Sequence, residues 1–310
     1  MIFPKKMEKR KGRKKKMNKI GFIGVGIMGK SMVRNLMKAG YELHIYARTK
    51  AKVEDVISEG AVFFDTIGEC VEDCDAVITI VGFPQDVEEV YFDKGNILDC
   101  AKPGAYLIDM TTTSPQLAEK IYKVGTEKGF HVMDAPVTGG DTGAKAGTLS
   151  ILVGGDQEDF EACMPLFEAM GTNINYQGKA GCGQHCKLAN QILIAGALSG
   201  VCEALAYVKA KGLNSEVVLK SVASGAAGSA QLNNLGPKIV KEDYAPGFFM
   251  KHFIKDMKLA LIESNMSGLD LGILSQALAN CEELEAEGYG DLGTQALAKY
   301  YEITEIEEEE

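Results

Sequence analysis

The chain has 310 residues, a formal net charge of −10, 46% hydrophobic residues and 25% charged residues. This length predicts about two domains, and the composition is ordinary for a soluble globular protein with a sizeable core. No run of about 18 apolar residues is free of charged or polar interruption, so we predict no transmembrane helix and no membrane partner.

The eight cysteines are interpreted as free thiols. No apolar signal segment accompanies them, which indicates a reducing compartment, and we expect a cytoplasmic protein. Cys70 and Cys74 are spaced to share one helix face, as are Cys182 and Cys186. No second ligand cluster completes either pair, so we predict no metal site.

The two ends of the chain carry opposite charge. Residues 1–16 contain nine Lys or Arg and one Glu, whereas residues 304–310 are mostly Glu. A basic arm can bind nucleic acid, but its low apolar content favours a disordered extension, and we do not expect a nucleic-acid partner. An upstream translation start and a tag-like segment both fit this extension. The folded part is expected to begin at Met17.

In chain order, short apolar runs alternate with helix-like segments. The runs begin at Ile20, Leu43, Ala76, Tyr106, His131 and Leu149. The alternation predicts crossover units on a mainly parallel sheet within an α/β domain over residues 17–180. After Gly181 the strand pattern stops, and residues 183–211 predict one long helix. That helix is expected to join the first domain to an all-α domain over residues 181–303.

The first run leads into a glycine-rich turn. Its sequence is Gly24-Val25-Gly26-Ile27-Met28-Gly29, which fits the G-x-G-x-x-G spacing between a strand and a helix. The three glycines allow a tight turn, a close approach of the backbone to a pyrophosphate, and close packing of the helix on the sheet. The turn predicts a doubly wound Rossmann-type domain that binds a dinucleotide.

The end of the second run predicts which dinucleotide binds. Ala47 stands where an acidic residue would bind the ribose 2′-hydroxyl of NAD, and Arg48 and Thr49 follow it. Because a guanidinium can pair with a 2′-phosphate, we predict NADP. The alternative is that Arg48 only stacks on the adenine, in which case NAD also binds.

A second glycine-rich segment runs from Asp134 to Thr148. The backbone N–H groups of Gly139 and Gly140, with the Thr138 hydroxyl, are suited to binding a small carboxylate. A simple glycine-rich turn explains the same composition, so both interpretations stay open.

Lys187 lies at the head of the long apolar helix. A buried ammonium needs partners or loses its proton, so Lys187 either extends to the surface or handles a proton in chemistry. Small residues crowd the same helix and would let another helix approach closely. They predict a homo-oligomer, either a dimer or a tetramer.

Together these segments resemble the β-hydroxyacid dehydrogenase family, which includes 3-hydroxyisobutyrate dehydrogenase, tartronate semialdehyde reductase and the glyoxylate/succinic semialdehyde reductases. The resemblance extends from Met17 to about Tyr300. Five blocks carry it, over residues 21–29, 109–115, 134–148, 181–191 and 248–260.

The resemblance implies a role for each matching residue. Lys187 matches the catalytic lysine. Asn190 and Gln191 fall where the family orients substrate, and which of them contacts it stays open. The remaining matches are the carboxylate loop of Thr138, Gly139 and Gly140, the cofactor contacts Val81, Thr112 and Lys255, and the residues Pro115, Asp256 and Phe248, the last of which is expected to close the pocket.

The histidines are weaker candidates. His252 lies three residues before Lys255 and is a possible lining residue of the substrate site. His185 faces away from Lys187 if both are helical, and His44 and His131 are interpreted as packing residues.

The expected reaction transfers a hydride between NADP and a short β- or ω-hydroxyacid or its semialdehyde, with Lys187 as general acid and base. One alternative is a non-catalytic NADP-binding module or sensor. The other is an NAD-dependent 3-hydroxyisobutyrate dehydrogenase.

Overall fold

The structure is a computed structural model that describes residues 17–301. The predictions for the basic extension and the acidic tail fall outside this range. Nine strands form one sheet: β1 (Lys19–Ile23), β2 (Glu42–Tyr46), β3 (Val62–Phe63), β4 (Ala76–Thr79), β5 (Tyr106–Asp109), β6 (His131–Asp134), β7 (Val137–Thr138), β8 (Leu149–Gly155) and β9 (Gly171–Gly178).

The strand order confirms a mainly parallel sheet. Strands run β3-β2-β1-β4-β5-β6 with every pair parallel. Beyond β6, strand β8 pairs antiparallel with β6 and β7 and parallel with β9. The order of the first six strands is that of a doubly wound dinucleotide-binding fold, in which ligands bind outside the carboxyl ends of β1 and β4.

Helices cover both faces of this sheet. They are α1 (Ile27–Lys38), α2 (Glu54–Ser58), α3 (Ile67–Val71), α4 (Pro84–Phe92), α5 (Ile97–Cys100), α6 (Pro115–Glu127), α7 (Gly140–Ala146) and α8 (Gln157–Glu168). Alternate residues of each strand enter different apolar clusters. Phe22 and Ile78 lie in one cluster, and Ile23 and Val77 lie in the other. This alternation explains why the strands read as continuous apolar runs.

The remainder of the described chain is helical. It contains α9 (Cys182–Ala210), α10 (Ser215–Val222), α11 (Ala230–Val240), α12 (Met250–Met266), α13 (Gly272–Ala286) and two 3₁₀ helices, Tyr289–Asp291 and Thr294–Tyr301. These helices share one apolar core that includes Leu198, Phe253 and Cys281. The last strand ends at Gly178, close to the predicted domain limit, although the division into two domains itself stays a prediction.

The predicted long helix is present as α9, with 29 residues. Among the described residues it alone is long and apolar enough to cross a membrane by length and composition. This is weak evidence for a membrane span, because the core helix of a soluble protein passes the same test. Here α9 packs against α11, α12 and α13.

Candidate active site

A cleft of about 1060 Å³ lies between the carboxyl ends of the strands and the helices that follow. It gathers nearly all of the site residues named from the sequence. Those lining it are Gly24, Val25, Gly26, Ile27, Met28, Gly29, Arg48, Thr49, Val81, Thr112, Thr138, Gly139, Gly140, Lys187, Gln191, Phe248, His252, Lys255 and Asp256. Asn190 and Pro115 are not among the lining residues.

The glycine-rich turn has the geometry that a dinucleotide needs. Gly24 has φ +97°, and a Cβ there would collide with the Ile80 carbonyl. A Cβ on Gly29 would collide with the Gly24 carbonyl, so this glycine lets α1 pack on the turn. A Cβ on Gly26 would meet nothing within 4 Å. The turn therefore leaves open space beside the N-terminus of α1, where a diphosphate fits.

Arg48 lies at the rim of the cleft, beyond the end of β2. Its side chain is 78% exposed, and Nη1 lies 3.3 Å from Oδ1 of Asp86. Thr49 and Lys52 line the same part of the cleft. Two cations and a hydroxyl thus surround the place where the 2′-position of an adenosine ribose is expected, and the single contact of Arg48 with the protein is exposed and weak.

Lys255 connects the helical part to the sheet. It lies on α12, and its Nζ donates a hydrogen bond to the Thr112 carbonyl beyond β5 at 2.5 Å. Its ammonium also lies 2.8 Å from Oδ1 of Asp256 as an ion pair, without the alignment of a hydrogen bond. This lysine holds α12 against the turn that follows β5.

The buried carboxylate of Asp109 stabilises the turn that follows β5. Oδ1 of Asp109 accepts hydrogen bonds from the Thr79 hydroxyl at 2.7 Å and from the Thr111 N–H at 3.1 Å, while Oδ2 has no partner. Burial raises the pKa of Asp109 to about 6. The Thr111 hydroxyl in turn accepts the N–H of Val81, so the ends of β4 and β5 are tied together.

The predicted carboxylate loop borders the same cleft. Gly139 and Gly140 both have positive φ, and α7 begins at Gly140. The Thr138 side chain is partly buried, whereas both glycines are exposed. All three residues line the cleft, and their role as a carboxylate-binding loop stays a prediction.

Lys187 projects from the second turn of α9 into the cleft and is 7% exposed. No hydrogen bond or ion pair from residues 17–301 reaches its ammonium. Burial lowers the pKa of Lys187 to about 8, with the attraction of Asp256 opposing this effect and the charge of Lys255 adding to it. The side chain does not extend to the protein surface, so that explanation of the sequence is wrong.

One helical turn further along α9 lies Gln191, which is 1% exposed. Its Nε2 donates to Oδ2 of Asp256 at 2.7 Å, and its Oε1 accepts from Asn190 at 2.7 Å. Gln191 lines the cleft, whereas Asn190 lies behind it. The structure thus favours Gln191 for contact with a substrate and gives Asn190 a supporting position.

The first turn of α9 is fixed to the sheet by two buried side chains. Asp134, at the end of β6, accepts the N–H groups of Gly181 and Gln184, each at 2.8 Å. The Gln184 amide accepts the Thr113 N–H at 3.0 Å and donates to the Thr111 carbonyl at 2.8 Å. Asp134 and Gln184 were assigned no role from the sequence, although a glutamine near the start of a largely apolar helix was a signal.

The sequence also missed most of the far wall of the cleft. This wall comes from one face of α11 and from the last 3₁₀ helix, and its polar members are Gln231, Asn233, Asn234, Lys238, Thr294 and Gln295. Residues 231, 234 and 238 recur at helical spacing, which is the only signal that could have identified this face, and such a face is usually solvated.

The remaining histidines and cysteines lie elsewhere. His185 is exposed, His44 packs beside Phe64, and His131 stacks on Tyr106 and lies 2.8 Å from Asp159. All eight cysteines are free, and no group of three potential metal ligands occurs within residues 17–301.

Two family descriptions match nearly the whole described chain. Residues 19–178 match the NAD binding domain of 6-phosphogluconate dehydrogenase. Residues 181–301 match the family described as NAD-binding of NADP-dependent 3-hydroxyisobutyrate dehydrogenase. The two matches meet between the last strand and α9.

Similar proteins agree with these matches. The chain is 50% identical over 282 residues to the uncharacterized oxidoreductase YkwC of Bacillus subtilis, covering 91% of this chain and 98% of that protein. It is 45% identical over 280 residues to the probable 3-hydroxyisobutyrate dehydrogenase-like 1, mitochondrial, of Arabidopsis thaliana, covering 90% and 84%. The structure of Mycobacterium tuberculosis 3-hydroxyisobutyrate dehydrogenase with L-serine matches with a TM-score of 0.84 and 27% identity, covering 93% and 100%.

Fold and site together define a nicotinamide-dependent oxidoreductase, with NAD or NADP as its cofactor. The chain belongs to the β-hydroxyacid dehydrogenase family and acts on CH–OH groups. This confirms the resemblance found in the five sequence blocks.

Proposed function

We propose that this protein interconverts a short β- or ω-hydroxyacid and its semialdehyde with NADP, using Lys187 as general acid and base. The observation that carries the proposal is a buried lysine that projects into the cleft lined by the glycine-rich turn and by Thr138, Gly139 and Gly140, and that has no hydrogen bond or ion pair from residues 17–301. A lysine pKa of about 8 suits proton transfer in either direction near neutral pH.

The chain's own residues have distinct tasks in this reaction. When bound, the nicotinamide supplies or accepts the hydride. Thr138, Gly139 and Gly140 bind the carboxylate of the substrate through N–H and O–H donors. Lys187 stabilises the developing alkoxide by its positive charge and donates a proton to that oxygen, and it accepts the proton in the oxidation direction. Gln191 orients the substrate oxygen beside Lys187.

Two cations and a hydroxyl support NADP as the cofactor. Arg48, Thr49 and Lys52 line the cleft beyond β2, and Ala47 leaves no carboxylate at the expected position for the 2′-hydroxyl. The exposed ion pair of Arg48 with Asp86 supports a second candidate, the NAD-dependent 3-hydroxyisobutyrate dehydrogenase, because this arginine is not held in place for a phosphate. Rates with NADPH and NADH distinguish the two.

Association into a homo-oligomer is part of the proposal. Large apolar side chains on the outer faces of three helices are exposed: Leu193 of α9, Ile262 and Met266 of α12, and Ile273 of α13. A monomer rarely exposes large apolar patches, so these faces are suited to contact with a second copy of the chain. We also propose a cytoplasmic location; the compartment differs among relatives, one of which carries a mitochondrial name.

The test is Lys187→Ala, assayed by NADPH oxidation with glyoxylate, succinic semialdehyde and tartronate semialdehyde. We expect kcat to fall by about 100-fold or more, because proton transfer from a positioned acid contributes about that much, while NADPH binding is retained. Lys179→Ala is the matched control, because Lys179 is exposed just before α9 and lies outside the cleft.

Two results would contradict the proposal. Turnover of Lys187→Ala close to that of the parent protein would remove Lys187 from the chemistry. Tight NADPH binding without oxidation of any semialdehyde would favour the non-catalytic binding module instead.

A further inference from the structure

His252 lies on α12 but contacts the dinucleotide-binding half of the molecule. Its ring centroid is 5.1 Å from that of Phe83, the residue just before α4. Its Cε1 would lie 3.4 Å from a Cβ built on Gly82. Phe83 and Gly82 follow β4, so His252 spans the cleft from the helical part to the end of that strand.

The ring is held from its own side as well. Phe249 lies edge-on to it with centroids 5.9 Å apart, and the Phe248 ring lies 6.5 Å away. Three phenylalanine rings therefore fix the orientation of one imidazole. A position fixed in this way is typical of a residue that presents one polar edge to a ligand.

The two ring nitrogens face different surroundings. Nδ1 is buried and has no hydrogen-bond partner. Nε2 does not share that burial, and the residue lines the cleft. Burial and the positive charge of Lys255 lower the pKa of His252, so the ring is neutral at pH 7. A buried N–H without an acceptor is costly, so the single proton resides on Nε2, which makes it a donor facing the cleft.

The position along the sheet indicates which part of the cofactor this donor meets. Strand β4 lies beside β1, and the glycine-rich turn follows β1. The backbone of Gly24 touches that of Ile80, at the end of β4. In this fold the diphosphate lies at the turn after β1, with the adenosine on the β2 side. The end of β4 therefore borders the middle of the cofactor, where the phosphate oxygens accept hydrogen bonds and the ribose hydroxyls both accept and donate them.

We propose that His252 is a cofactor-binding residue that donates a hydrogen bond from Nε2 to the diphosphate–ribose segment of the bound dinucleotide. In this role it covers the middle of the cofactor from the helical side, opposite the glycine-rich turn. The residue is thereby assigned to the cofactor and not to the substrate. The proposal rests on the nicotinamide cofactor and is independent of the role of Lys187 and of the choice between NADP and NAD.

The test uses two variants of the full chain and measures binding directly. His252→Phe keeps a ring among the three phenylalanines but removes the donor, and His252→Gln keeps an N–H donor. NADPH affinity is measured by fluorescence titration, and affinities for ADP-ribose and AMP, each with and without a 2′-phosphate, are measured by calorimetry.

We expect His252→Phe to weaken NADPH and both forms of ADP-ribose by about tenfold, the usual size of one lost hydrogen bond to a charged acceptor. Binding of both forms of AMP should stay unchanged, because they lack the second phosphate and its ribose. His252→Gln should recover part of the affinity, and His185→Ala, at an exposed position on α9, should match the parent protein.

The proposal is overturned if His252→Phe binds ADP-ribose as tightly as the parent protein does. It is also overturned if ADP-ribose and AMP weaken equally, since that result indicates a disturbed fold. A rise only in the KM for the semialdehyde, with unchanged dinucleotide affinity, would assign His252 to the substrate instead.

Discussion

At the scale of single residues, the environment of Lys187 is a balance between burial and two opposite charges. Burial disfavours the ammonium, and Lys255 adds repulsion, while Asp256 attracts it. Asp256 is itself committed to Lys255 and Gln191, so it does not form a direct ion pair with Lys187. The ammonium of Lys187 therefore loses its proton more readily than that of an exposed lysine, as the proposed role in proton transfer requires.

This balance predicts a pH dependence of the reaction. Because the pKa of Lys187 is lowered to about 8, the proton donor is lost as the pH rises through that value. We expect kcat/KM for semialdehyde reduction to be constant below pH 7 and to decline tenfold per pH unit well above pH 8. Oxidation of the hydroxyacid needs the neutral amine, so its kcat/KM should decline as the pH falls below 8.

Initial rates in both directions between pH 6 and pH 10 measure these profiles. A titration of NADPH binding over the same range is the control, since it separates binding from proton transfer. Profiles with no inflection between pH 7 and pH 9 in either direction would be incompatible with Lys187 as the titrating group.

Most of the site residues named from the sequence do meet in the cleft, because their chemistry is local. The turn from Gly24 to Gly29 and the position of Lys187 at the head of a helix can be read directly from spacing. The roles of Asn190 and Gln191 could not be separated in the same way. Both amides lie about one turn from Lys187, and only the packing of α12 determines which of them faces Asp256.

At the scale of elements, the first turn of α9 determines where the side chain of Lys187 lies. Gln184 lies one turn before it and joins the helix to the strand ends that flank the cofactor. A helix is stiff over one turn, so a displacement at Gln184 is transmitted to the ammonium. This amide is therefore expected to position the catalytic lysine without touching the substrate.

We predict that Gln184→Leu lowers kcat by about tenfold, because misplacement of a catalytic group by a fraction of an ångström to 1 Å costs that much or more. The Thr113 N–H and the Thr111 carbonyl would lose their partners, at about 1–3 kcal/mol of unfolding free energy each. Steady-state kinetics and thermal unfolding measure the two effects, and NADPH titration is the control.

A Gln184→Leu variant with lowered stability but unchanged kcat would reduce Gln184 to a purely structural residue. A large loss of NADPH affinity would instead indicate that the Thr111–Thr113 turn had collapsed.

The elements differ in how far the sequence predicted them. Strands β1, β2, β4, β5, β6 and β8 were predicted because each contains a short, mostly apolar run that is largely buried. The cleft-facing side of α11 was not, because Gln231, Asn234 and Lys238 form a polar stripe with the composition of a solvated surface. Its role depends on where the helix packs, which local spacing does not encode.

At the scale of the whole molecule, the outer faces of α9, α12 and α13 are expected to be covered by a second copy of the chain. We predict that Ile273→Glu weakens self-association, because a charge at the centre of a buried apolar surface must be desolvated. Ile273 is 72% exposed in the single chain, so the substitution should leave its fold intact.

Sedimentation velocity over a range of protein concentrations measures the effect. Val217→Glu is the matched control, since Val217 is 61% exposed on α10, outside that surface. A parent protein that sediments as a monomer throughout, or equal effects of the two variants, would rule out this surface as the contact.

The overall architecture could be predicted because the hydrophobic pattern of the sequence shows it directly. Apolar runs alternate with helix-like segments, and the strand pattern stops after Gly181. The way in which the helical part packs against the sheet could not be predicted from the sequence. It depends on Asp134, Gln184 and Lys255, three polar side chains whose partners lie 50, about 72 and 143 positions away in the chain.

The anchoring of α9 also has a consequence for how ligands enter. Four hydrogen bonds that involve the side chains of Asp134 and Gln184 hold the start of this helix against the sheet. Where Phe83 meets His252, the contact between the two parts is aromatic and has no hydrogen bond of its own. The start of α9 is therefore held by hydrogen bonds, whereas the side at Phe83 is held by aromatic contact. We expect dinucleotides to enter and leave past Phe83.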